Sequence, residues 1–371
     1  MKISIERNLF LNSLSHVQNV VEKRNTIPIL SNILINSNED KVILTTTDMD
    51  ISITEVINSS VIEQGSITTS AHTLYDIVRK LDDGSSIELI SNDGNKLSVR
   101  SGKSKFSLAC LPKDDFPKID NAVLENEFSI SSSELKKIID KTKFAISSEE
   151  TRYYLNGMYI HIIDLNSQKK LRGVATDGHR LSKIEIEVPK GAENISGAII
   201  PKKTINEIRK LLDEAEGDVF ISLNESKIIF KINNIVLSSK LIDGSFPEYE
   251  KVIPQNNDKM ISFNTKSLYE AVDRVSTVSS EKSRSVKLSI QKNIVSLSST
   301  SAETGSGAED IVVEYSGEEF EIGYNAKYLL EIIGQIEGDN VSFVLSDSSS
   351  PSIIQDPKDK ESLYILMPMR V

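Results

Sequence analysis

The chain has 371 residues, which is too long for one ordinary domain and fits two or three. Its 39% hydrophobic and 26% charged residues are typical of a folded globular protein and exclude a disordered one. The net charge of −11 argues against a surface coated with basic patches, but it does not exclude nucleic acid, because the placement of the basic residues decides that.

Two families of predicted helices recur three times along the chain. The first family follows Glu6, Ser131 and Asn264, each time after a short apolar alternation that predicts a strand. The second begins at Ser70, Pro201 and Asn325 with a capping or turn residue and leads through a turn into another strand. The matching apolar positions are Phe10, Leu135 and Leu268 in the first family, and Leu74, Ile205 and Leu329 in the second.

The repeat predicts three domains of one design, over residues 1–127, 128–256 and 257–371. Between the helices, short connections join strand-like segments, which favours antiparallel sheets. We therefore expect an α+β fold in which each domain packs two helices on antiparallel sheet. The alternative, chance similarity among amphipathic helices, would not repeat the helix–turn–strand order at matched intervals.

Enzyme motifs are almost absent. The run at Ser101 ends like a phosphate-binding loop but has Leu97 where the motif needs glycine, and the glycines at Gly305 and Gly307 open no helix. The single cysteine excludes an internal disulfide and a cysteine-based metal cluster, so a reducing, cytoplasmic compartment is expected. We expect no cofactor and no metal. The N-terminus does not resemble a signal peptide, and no apolar run is long enough to span a bilayer.

Asp177 and His179 form the one local pair that could act as acid and base. Residues two apart on a strand point to the same side, so the two side chains could meet there. A catalytic role would also need a nucleophile or a metal, and no local partner is evident. Gly178 between them indicates a special turn or a close backbone approach.

Basic residues concentrate on the repeated helices of an otherwise acidic chain. The helices carry His72, Arg79, Lys136, Lys137, Lys141, Lys143, Lys202, Lys203, Arg209 and Lys210. Solvated helix faces with paired charges would explain this pattern equally well. If DNA is bound, the absence of aromatic series and of a helix-turn-helix predicts backbone contacts that do not depend on base sequence.

Five motifs together resemble a known family. They are IPILSNILI at Ile27, RYYLNGM at Arg152, TDGHRL at Thr176, SKLIDGSFPEYEKV at Ser239 and the terminal LMPMRV. In this order and over the whole chain, they resemble the bacterial DNA polymerase III beta subunits, the sliding clamps of the DNA clamp family.

The resemblance implies three domains of the DNA clamp fold and a homodimeric, head-to-tail ring around double-stranded DNA. Its role would be processivity in DNA replication, with no catalytic activity of its own. Implied partners are the DNA polymerase III alpha subunit, the delta subunit of the clamp loader, and other polymerases and repair proteins that carry a clamp-binding motif. No membrane partner is implied.

The resemblance also implies a pocket for short partner peptides, with methionine and other apolar residues giving an adaptable cavity. Arg180 and Arg370 would hold polar groups at its rim. Lys251 and Val371 stand where the family usually has arginine and leucine. The implied pocket residues are Leu155, Thr176, Gly178, His179, Arg180, Leu181, Pro247, Lys251, Val252, Ile365, Leu366, Met367, Pro368, Met369 and Arg370.

Two further residue sets are implied by the resemblance. The DNA contacts carried over would be Arg24, His72, Glu149, Tyr153 and Tyr154. Arg79, Lys137, Lys202 and Lys203 join them from the charge pattern, because the repeated helices would line the hole of the ring. The dimer contacts would be Lys103, Lys105, Phe106 and Leu108 on one side, and Thr277, Val278, Glu303, Glu309 and Asp310 on the other. Three departures stand out: His72 replaces an arginine, Glu149 replaces a glutamine and would repel phosphate unless paired, and Thr277 replaces a larger apolar residue.

Three functions therefore compete. A sliding clamp would bind and tether without catalysis. A cytosolic hydrolase would use Asp177 and His179. A plain repeat protein would do neither. The resemblance favours the clamp.

Overall fold

A computed structural model describes residues 1–22, 26–91, 95–119, 124, 126–165, 168–280 and 284–370. Within these ranges the chain forms six α-helices: Arg7–Gln18 (α1), Ala71–Arg79 (α2), Ser132–Thr142 (α3), Lys202–Leu211 (α4), Thr265–Ser276 (α5) and Ala326–Ile333 (α6). No helix in the described part of the chain is long and apolar enough to cross a membrane.

The strands of the described ranges fall into three successive groups. The first is Lys2–Glu6 (β1), Asn32–Asn38 (β2), Lys41–Thr47 (β3), Ile51–Asn58 (β4), Ser60–Glu63 (β5), Gly65–Ser70 (β6), Ser86–Ile90 (β7), Lys96–Ser101 (β8) and Ser104–Ala109 (β9). The second is Asn126–Ser131 (β10), Gly157–Leu165 (β11), Gln168–Thr176 (β12), Arg180–Glu187 (β13), Ala198–Pro201 (β14), Asp218–Leu223 (β15), Lys227–Ile232 (β16) and Ile235–Lys240 (β17). The third is Lys259–Asn264 (β18), Ser285–Gln291 (β19), Ile294–Ser301 (β20), Gly305–Val312 (β21), Phe320–Asn325 (β22), Asn340–Leu345 (β23), Ser352–Gln355 (β24) and Ser362–Leu366 (β25).

One compact unit consists of Met1–Leu135, Pro189–Ser196 and Lys203–Leu241. It contains a five-stranded sheet in the order β5-β1-β7-β8-β9 and an eight-stranded sheet in the order β10-β15-β16-β17-β4-β3-β2-β6. In the larger sheet, β17 pairs with β4 from Ile235↔Glu55 to Ser239↔Ile51. This pairing joins strands of the first and second predicted domains.

A second compact unit consists of Lys136–Val188, Gly197–Lys202 and Ile242–Val371. Its eight-stranded sheet has the order β14-β11-β12-β13-β25-β24-β23-β18, and its four-stranded sheet has the order β21-β20-β19-β22. Here β13 pairs with β25 from Arg180↔Leu366 to Ile184↔Ser362. The C-terminal strand is thereby fixed beside a strand of the second predicted domain.

Helix starts follow from polar residues placed at the ends of strands. Ser70, Asn264 and Asn325 each accept a backbone N–H of the first helical turn through the side chain, and so does Glu6, from Asn8 and Leu9. These caps satisfy donors that have no partner inside the helix. In each case a strand leads directly into an amphipathic helix.

The predicted α+β fold with antiparallel sheets is confirmed. Every strand pair among the described residues is antiparallel, and the helices recur in the predicted order, with α1, α3 and α5 in one family and α2, α4 and α6 in the other. The matching apolar positions are all buried: Phe10, Leu135, Leu268, Leu74, Ile205 and Leu329.

Candidate functional site

The turn between β12 and β13 is held by its own side chains. The Thr176 hydroxyl donates to the carbonyl of Arg180 at 2.7 Å and accepts the N–H of Gly178 at 3.1 Å. One oxygen of Asp177 accepts the backbone N–H groups of His179 at 2.9 Å and Arg180 at 3.0 Å. The strand geometry that would pair Asp177 with the His179 imidazole is wrong, because both residues lie in the turn and the carboxylate is used to hold it.

Gly178 brings the turn against Arg152. Its φ is +85°, and a Cβ at this position would lie 2.4 Å from Nη1 of Arg152. Arg152 donates to the carbonyl of Asp177 at 2.9 Å and holds Glu149 through two nitrogens at 2.7 and 2.8 Å. This two-pronged contact with Arg152 lowers the pKa of the Glu149 carboxyl. The glutamate that replaces the family's glutamine is therefore paired.

Arg180 differs from the expected rim residue. Its side chain is 6% exposed, and its three guanidinium nitrogens donate to Asp177 at 3.2 Å, to Glu331, and to the carbonyl of Phe144 at 2.5 Å. The guanidinium also lies 4.3 Å from the ring centroid of Tyr328. Burial with a partner on each guanidinium nitrogen makes Arg180 a brace between β13 and α6.

The residues after β25 join this turn. The N–H of Met367 donates to the carbonyl of His179 at 2.9 Å, and the N–H of Met369 donates to Gly323 at 2.8 Å. Together with the β13–β25 ladder, the Met367 bond places the TDGHRL and LMPMR motifs side by side, while the Met369 bond ties the end of the chain to β22. The family resemblance implied one pocket from these two motifs, whereas local sequence pattern could not show the contact, since the motifs are far apart in the chain.

An apolar cluster lies beneath the two motifs. Val174, Leu181, Tyr249 and Ile365 form its buried part. Met367 and Val252 present apolar surface at 38% and 48% exposure. We call the apolar cluster and the two motifs above it the β25 pocket. Its predicted members are Leu155, Thr176, Gly178, His179, Arg180, Leu181, Pro247, Lys251, Val252 and residues 365–370. Of these, Leu155 is buried, while Pro247, Lys251 and Arg370 are exposed.

A hydrogen-bonded chain fixes Tyr249 in that cluster. Arg172 donates to the Tyr249 hydroxyl at 2.7 Å, and that hydroxyl lies 3.0 Å from Nε2 of His161. Tyr159 stacks on the His161 ring at a centroid distance of 4.4 Å. Burial, with the charge of Arg172 nearby, lowers the pKa of His161 to about 4. A neutral imidazole accepts the tyrosine proton at Nε2 and carries its own proton on Nδ1, a buried atom that has no hydrogen-bond partner in the described part of the chain.

A polar cleft of about 510 Å³ lies beside the same turn, lined by Glu149, His179, Lys202, Lys327 and Tyr328 among others. Burial lowers the pKa of Lys202, and the nearby charges of Arg180 and Lys327 add to that effect. Two residues predicted to contact DNA, Glu149 and Lys202, thus line one cleft.

The other predicted DNA contacts are placed as follows. Arg24 lies outside the described residues. The ring nitrogens of His72 lie 3.1 Å from Oε1 of Gln18 and 3.0 Å from the carbonyl of Val21. Tyr153 is 54% exposed and meets Tyr154 edge to face.

The predicted cationic contacts lie within reach of acceptors. They are Arg79 with Asp76 at 3.1 Å, Lys137 with Glu361 at 2.6 Å, Lys202 with Ser148 at 2.6 Å, and Lys203 with Asp48. Lys141, on the same helix as Lys137, is buried and pairs with Glu337 at 2.7 Å. The charge pattern of the sequence therefore overstates the positive charge that is free to meet phosphate.

The predicted dimer contacts lie on edge strands and the residues beside them. Lys105, Phe106 and Leu108 belong to β9, the edge of the five-stranded sheet, and Lys103 precedes it. The side chains of β9 are almost all exposed, including Phe106 at 39%. An unpaired strand edge is a template for pairing with another chain.

The opposite set surrounds β21, the edge of the four-stranded sheet. Glu309 and Asp310 lie on β21, Glu303 lies in the turn before it, and Thr277 and Val278 follow α5. Arg274 donates twice to Glu309, at 2.6 and 3.0 Å, and this contact lowers the pKa of the Glu309 carboxyl.

Sequence reasoning missed several residues of these sites. Val312, at the end of β21, is 84% exposed, and the consecutive apolar residues Ile311, Val312 and Val313 give no local signal of which one faces outwards. Phe144, Tyr328 and Glu331 hold Arg180, but they carry no local motif.

Comparison with known proteins agrees with this geometry. Three models of the DNA polymerase III beta subunit match in order: the N-terminal domain at residues 1–120, the central domain at 129–248 and the C-terminal domain at 250–370. A beta sliding clamp of Caulobacter vibrioides is 46% identical over 100% of both chains.

Solved structures are equally similar. A Caulobacter crescentus beta sliding clamp with bound polyethylene glycol has a TM-score of 0.97 at 46% identity, covering 100% of this chain and 99% of that one. A Bartonella birtlesii sliding clamp bound to griselimycin has a TM-score of 0.97 at 46% identity, covering 100% of both chains.

The repeated helices and sheets, with these matches, define a protein of the DNA clamp class, built from three clamp domains. The chain belongs to the family of DNA polymerase III beta subunits, the beta sliding clamps, whose role is to tether the polymerase and confer processivity in DNA replication. The boundaries at residues 127 and 256 stay a prediction.

Proposed function

We propose that the chain works as a homodimeric ring around duplex DNA and holds its partners through the β25 pocket. The observation that carries this is the meeting of the Thr176–Arg180 turn with the end of β25, closed by the Met367–His179 hydrogen bond. It places an exposed methionine over a buried apolar floor, next to a turn that Gly178 keeps open.

The pocket suits a short peptide with a leucine or phenylalanine anchor. Leu181 and Ile365 supply the buried apolar contact, and Met367 and Val252 can adapt their exposed side chains. Lys251 and Arg370 are exposed at its rim. An adaptable pocket can serve several partners in turn, such as the polymerase alpha subunit and the clamp-loader delta subunit.

The subunits would join head to tail through their strand edges, a contact that closes after two copies. β9 would pair with β21 of the partner, with Lys103 and Lys105 facing the acidic residues Glu303 and Asp310. The support is that both strands are sheet edges with exposed side chains.

The ring would slide because its contacts with DNA are weak and do not read sequence. The predicted contacts are His72, Arg79, Lys137, Lys202 and Lys203 with the tyrosines, together with Glu149 and with Arg24 outside the described residues. Most of the cations already have acceptors, so few counterions would be released on binding.

We also infer that the protein catalyses no reaction and works in the cytoplasm. The one acid–base pair of the sequence is taken up by the turn, where Asp177 holds backbone N–H groups. A single cysteine suits a reducing compartment.

Retention on DNA of changed topology tests the ring. The protein is loaded by its clamp loader onto nicked circular plasmid, the complex is isolated by gel filtration, and the DNA is then linearised with a restriction enzyme. A closed ring stays on circles and leaves linear DNA through its ends. Retention on both forms would mean ordinary contact binding and would overturn the proposal.

Loss of retention has to be separated from a failure of loading. Two further samples serve as controls: sedimentation mass of the free protein, which reports the dimer, and a Met260→Ala variant. Met260 is a 65% exposed methionine outside the β25 pocket, so this change should leave both loading and retention intact.

A further inference from the structure

The turn between β3 and β4 repeats the Thr176–Arg180 turn bond for bond. The Thr47 hydroxyl donates to the carbonyl of Ile51 at 2.9 Å and accepts the N–H of Met49 at 3.0 Å. One oxygen of Asp48 accepts the N–H groups of Asp50 at 2.9 Å and Ile51 at 2.8 Å. Met49 has a φ of +81°, close to the +85° of Gly178.

The strand beside this turn repeats as well. β17 pairs with β4 as β25 pairs with β13, so that Ser238 lies opposite Ser52 where Ile365 lies opposite Leu181. The N–H of Lys240 donates to the carbonyl of Asp50 at 2.8 Å, as that of Met367 does to His179. The threefold repeat has therefore built the framework of the β25 pocket a second time.

A cavity of about 480 Å³ opens at this second framework. Its apolar lining comes from Met49, Ile51, Pro117, Ile119 and Leu241. Pro117 follows Phe116, as Pro247 follows Phe246 at the β25 pocket. We call this cavity the β17 pocket. It lies within one compact unit of the chain.

We propose that the β17 pocket is a second docking site, which takes a short acidic segment of a partner protein with one apolar anchor. Three lysines line it, Lys118, Lys227 and Lys240, against one acidic residue, Asp50. The Asp50 carboxylate already lies 3.0 Å from Nζ of Lys240. Charge complementarity therefore favours acidic side chains around the anchor.

The floor of the pocket sets it apart from the first one. Ser52 and Ser238, at 6% and 5% exposure, stand where the β25 pocket has Leu181 and Ile365. A polar floor favours a bound segment with a smaller apolar group than the β25 pocket would take, and with groups that can hydrogen-bond to the serines. The two pockets therefore select different segments. The inference rests on the proposed function only for its comparison with a peptide-binding β25 pocket.

Met49 lies at the entrance of the β17 pocket. The side chain is 52% exposed, on a backbone conformation that residues other than glycine rarely adopt. Backbone strain of this kind is found where surrounding structure imposes it, often at ligand clamps. An exposed methionine held in this way is an adaptable apolar contact.

The methionines allow the two pockets to be observed separately. The chain has six, of which Met49 reports the β17 pocket, Met367 and Met369 report the β25 pocket, and Met260 is an exposed control. The full-length protein labelled with 13C at the methionine methyls is titrated with an eight-residue synthetic peptide that carries one leucine between aspartates. A matched peptide with lysines in place of the aspartates is the charge control.

We expect the Met49 methyl signal to shift with the acidic peptide and not with the basic one. The shift should persist in a Met367→Ala, Met369→Ala variant. Lys118→Glu should weaken the binding seen at Met49 about fivefold, the upper range for an exposed ion pair, while Lys190→Glu leaves it unchanged. Ile119→Ser, a second variant, should weaken it through the loss of apolar contact.

The other outcomes separate the two proposals. A shift of Met367 and Met369 without Met49 would overturn the second site and leave the β25 pocket standing. A shift of Met49 alone would support the second site even if the proposed role of the β25 pocket fails. No shift at Met49 with either peptide, or equal shifts with both, would overturn the acidic docking site.

Discussion

Gly178 is the residue on which the shape of the β25 pocket depends most. A side chain here would be destabilising in two ways: the φ of +85° would strain the backbone, and the Cβ would lie only 2.4 Å from Nη1 of Arg152. The Gly178→Ala variant should lose about 1–2 kcal/mol of stability from the backbone alone. Displacement of Arg152 should add to this and lower peptide affinity, which isothermal titration and chemical unfolding would measure.

Gly217 provides the matched control for that change. Its φ is +77°, but a Cβ there would have no atom within 4 Å. Gly217→Ala should therefore show the backbone cost without loss of peptide affinity. Equal effects of the two substitutions on affinity would contradict a specific role for the contact between Gly178 and Arg152.

His161 should make the second compact unit sensitive to acid. Its pKa is lowered from 6.5 to about 4, so the folded state holds the ring neutral while the unfolded chain takes up a proton. The free energy of unfolding should fall as the pH drops from 6.5 towards 4. Below pH 4, protonation of His161 should cause no further loss. The loss is on the order of 2 kcal/mol, allowing for partial exposure of the ring.

Two measurements check the titration of His161. The ring proton signals should titrate near pH 4 in NMR spectra. A His161→Phe variant, which keeps the stack on Tyr159, should show a smaller decrease in thermal midpoint between pH 6.5 and pH 4 than the parent protein. A ring that titrates near pH 6.5 would show that burial and the charge of Arg172 do not hold the neutral form.

The residues after β25 act as one element. Two backbone hydrogen bonds hold them: Met367 donates to His179 of the Thr176–Arg180 turn, and Met369 donates to Gly323 of β22. Deletion of residues 367–371 removes both bonds and the exposed apolar contact of Met367. We expect polymerase stimulation in a primer-extension assay to be lost while sedimentation still shows the dimer, because β9 and β21 are untouched. Loss of the dimer would show that this segment is structural.

At the scale of elements, the sequence revealed much of the fold because its information is local. Helical spacing, caps such as Ser70 and Asn264, and strand alternation all recur in each repeat, and they predicted the six helices. The pairing of β17 with β4 was not predictable, since strand register across distant segments is not encoded in local pattern. The division of strands between two eight-stranded sheets was missed for the same reason.

The residues around the β25 pocket were also predictable only where the information is local. The pocket motifs were recognised by their resemblance to a family, whereas the burial of Arg180 depends on Phe144, Tyr328 and Glu331, which come from other parts of the chain. The pairing of Glu149 with Arg152, three residues on, was within reach of local reasoning. The repeat of the turn at Thr47 was hidden because Met49, not glycine, takes the left-handed position.

For the whole molecule, the strength of the dimer should depend on charge at the strand edges. Reversing Lys103 and Lys105 to glutamate places like charges opposite Glu303 and Asp310 in the proposed interface. We expect the dimer dissociation constant to rise at least tenfold, equivalent to about 1.4 kcal/mol, with a smaller effect at high salt. Sedimentation velocity over a dilution series measures it.

A double variant with the same change in net charge serves as the control. Lys190→Glu with Lys358→Glu alters two exposed lysines that lie outside β9, β21 and α5, and it should leave the dimer unchanged. Equal weakening in both double variants would point to general repulsion in an acidic protein and against the proposed interface.

The continuous eight-stranded sheets decide what happens when the chain is cut. A fragment that ends at residue 127 keeps β4 but loses β17. β4 stays paired with β3 on one side, while its other edge, at Ile51–Glu55, has no partner strand. An exposed edge of this kind recruits edges from other copies, by strand exchange or by aggregation. Proteolytic cleavage between the repeats should therefore yield fragments that associate with one another. The repeats should stay folded without such association only while the chain that connects them is intact.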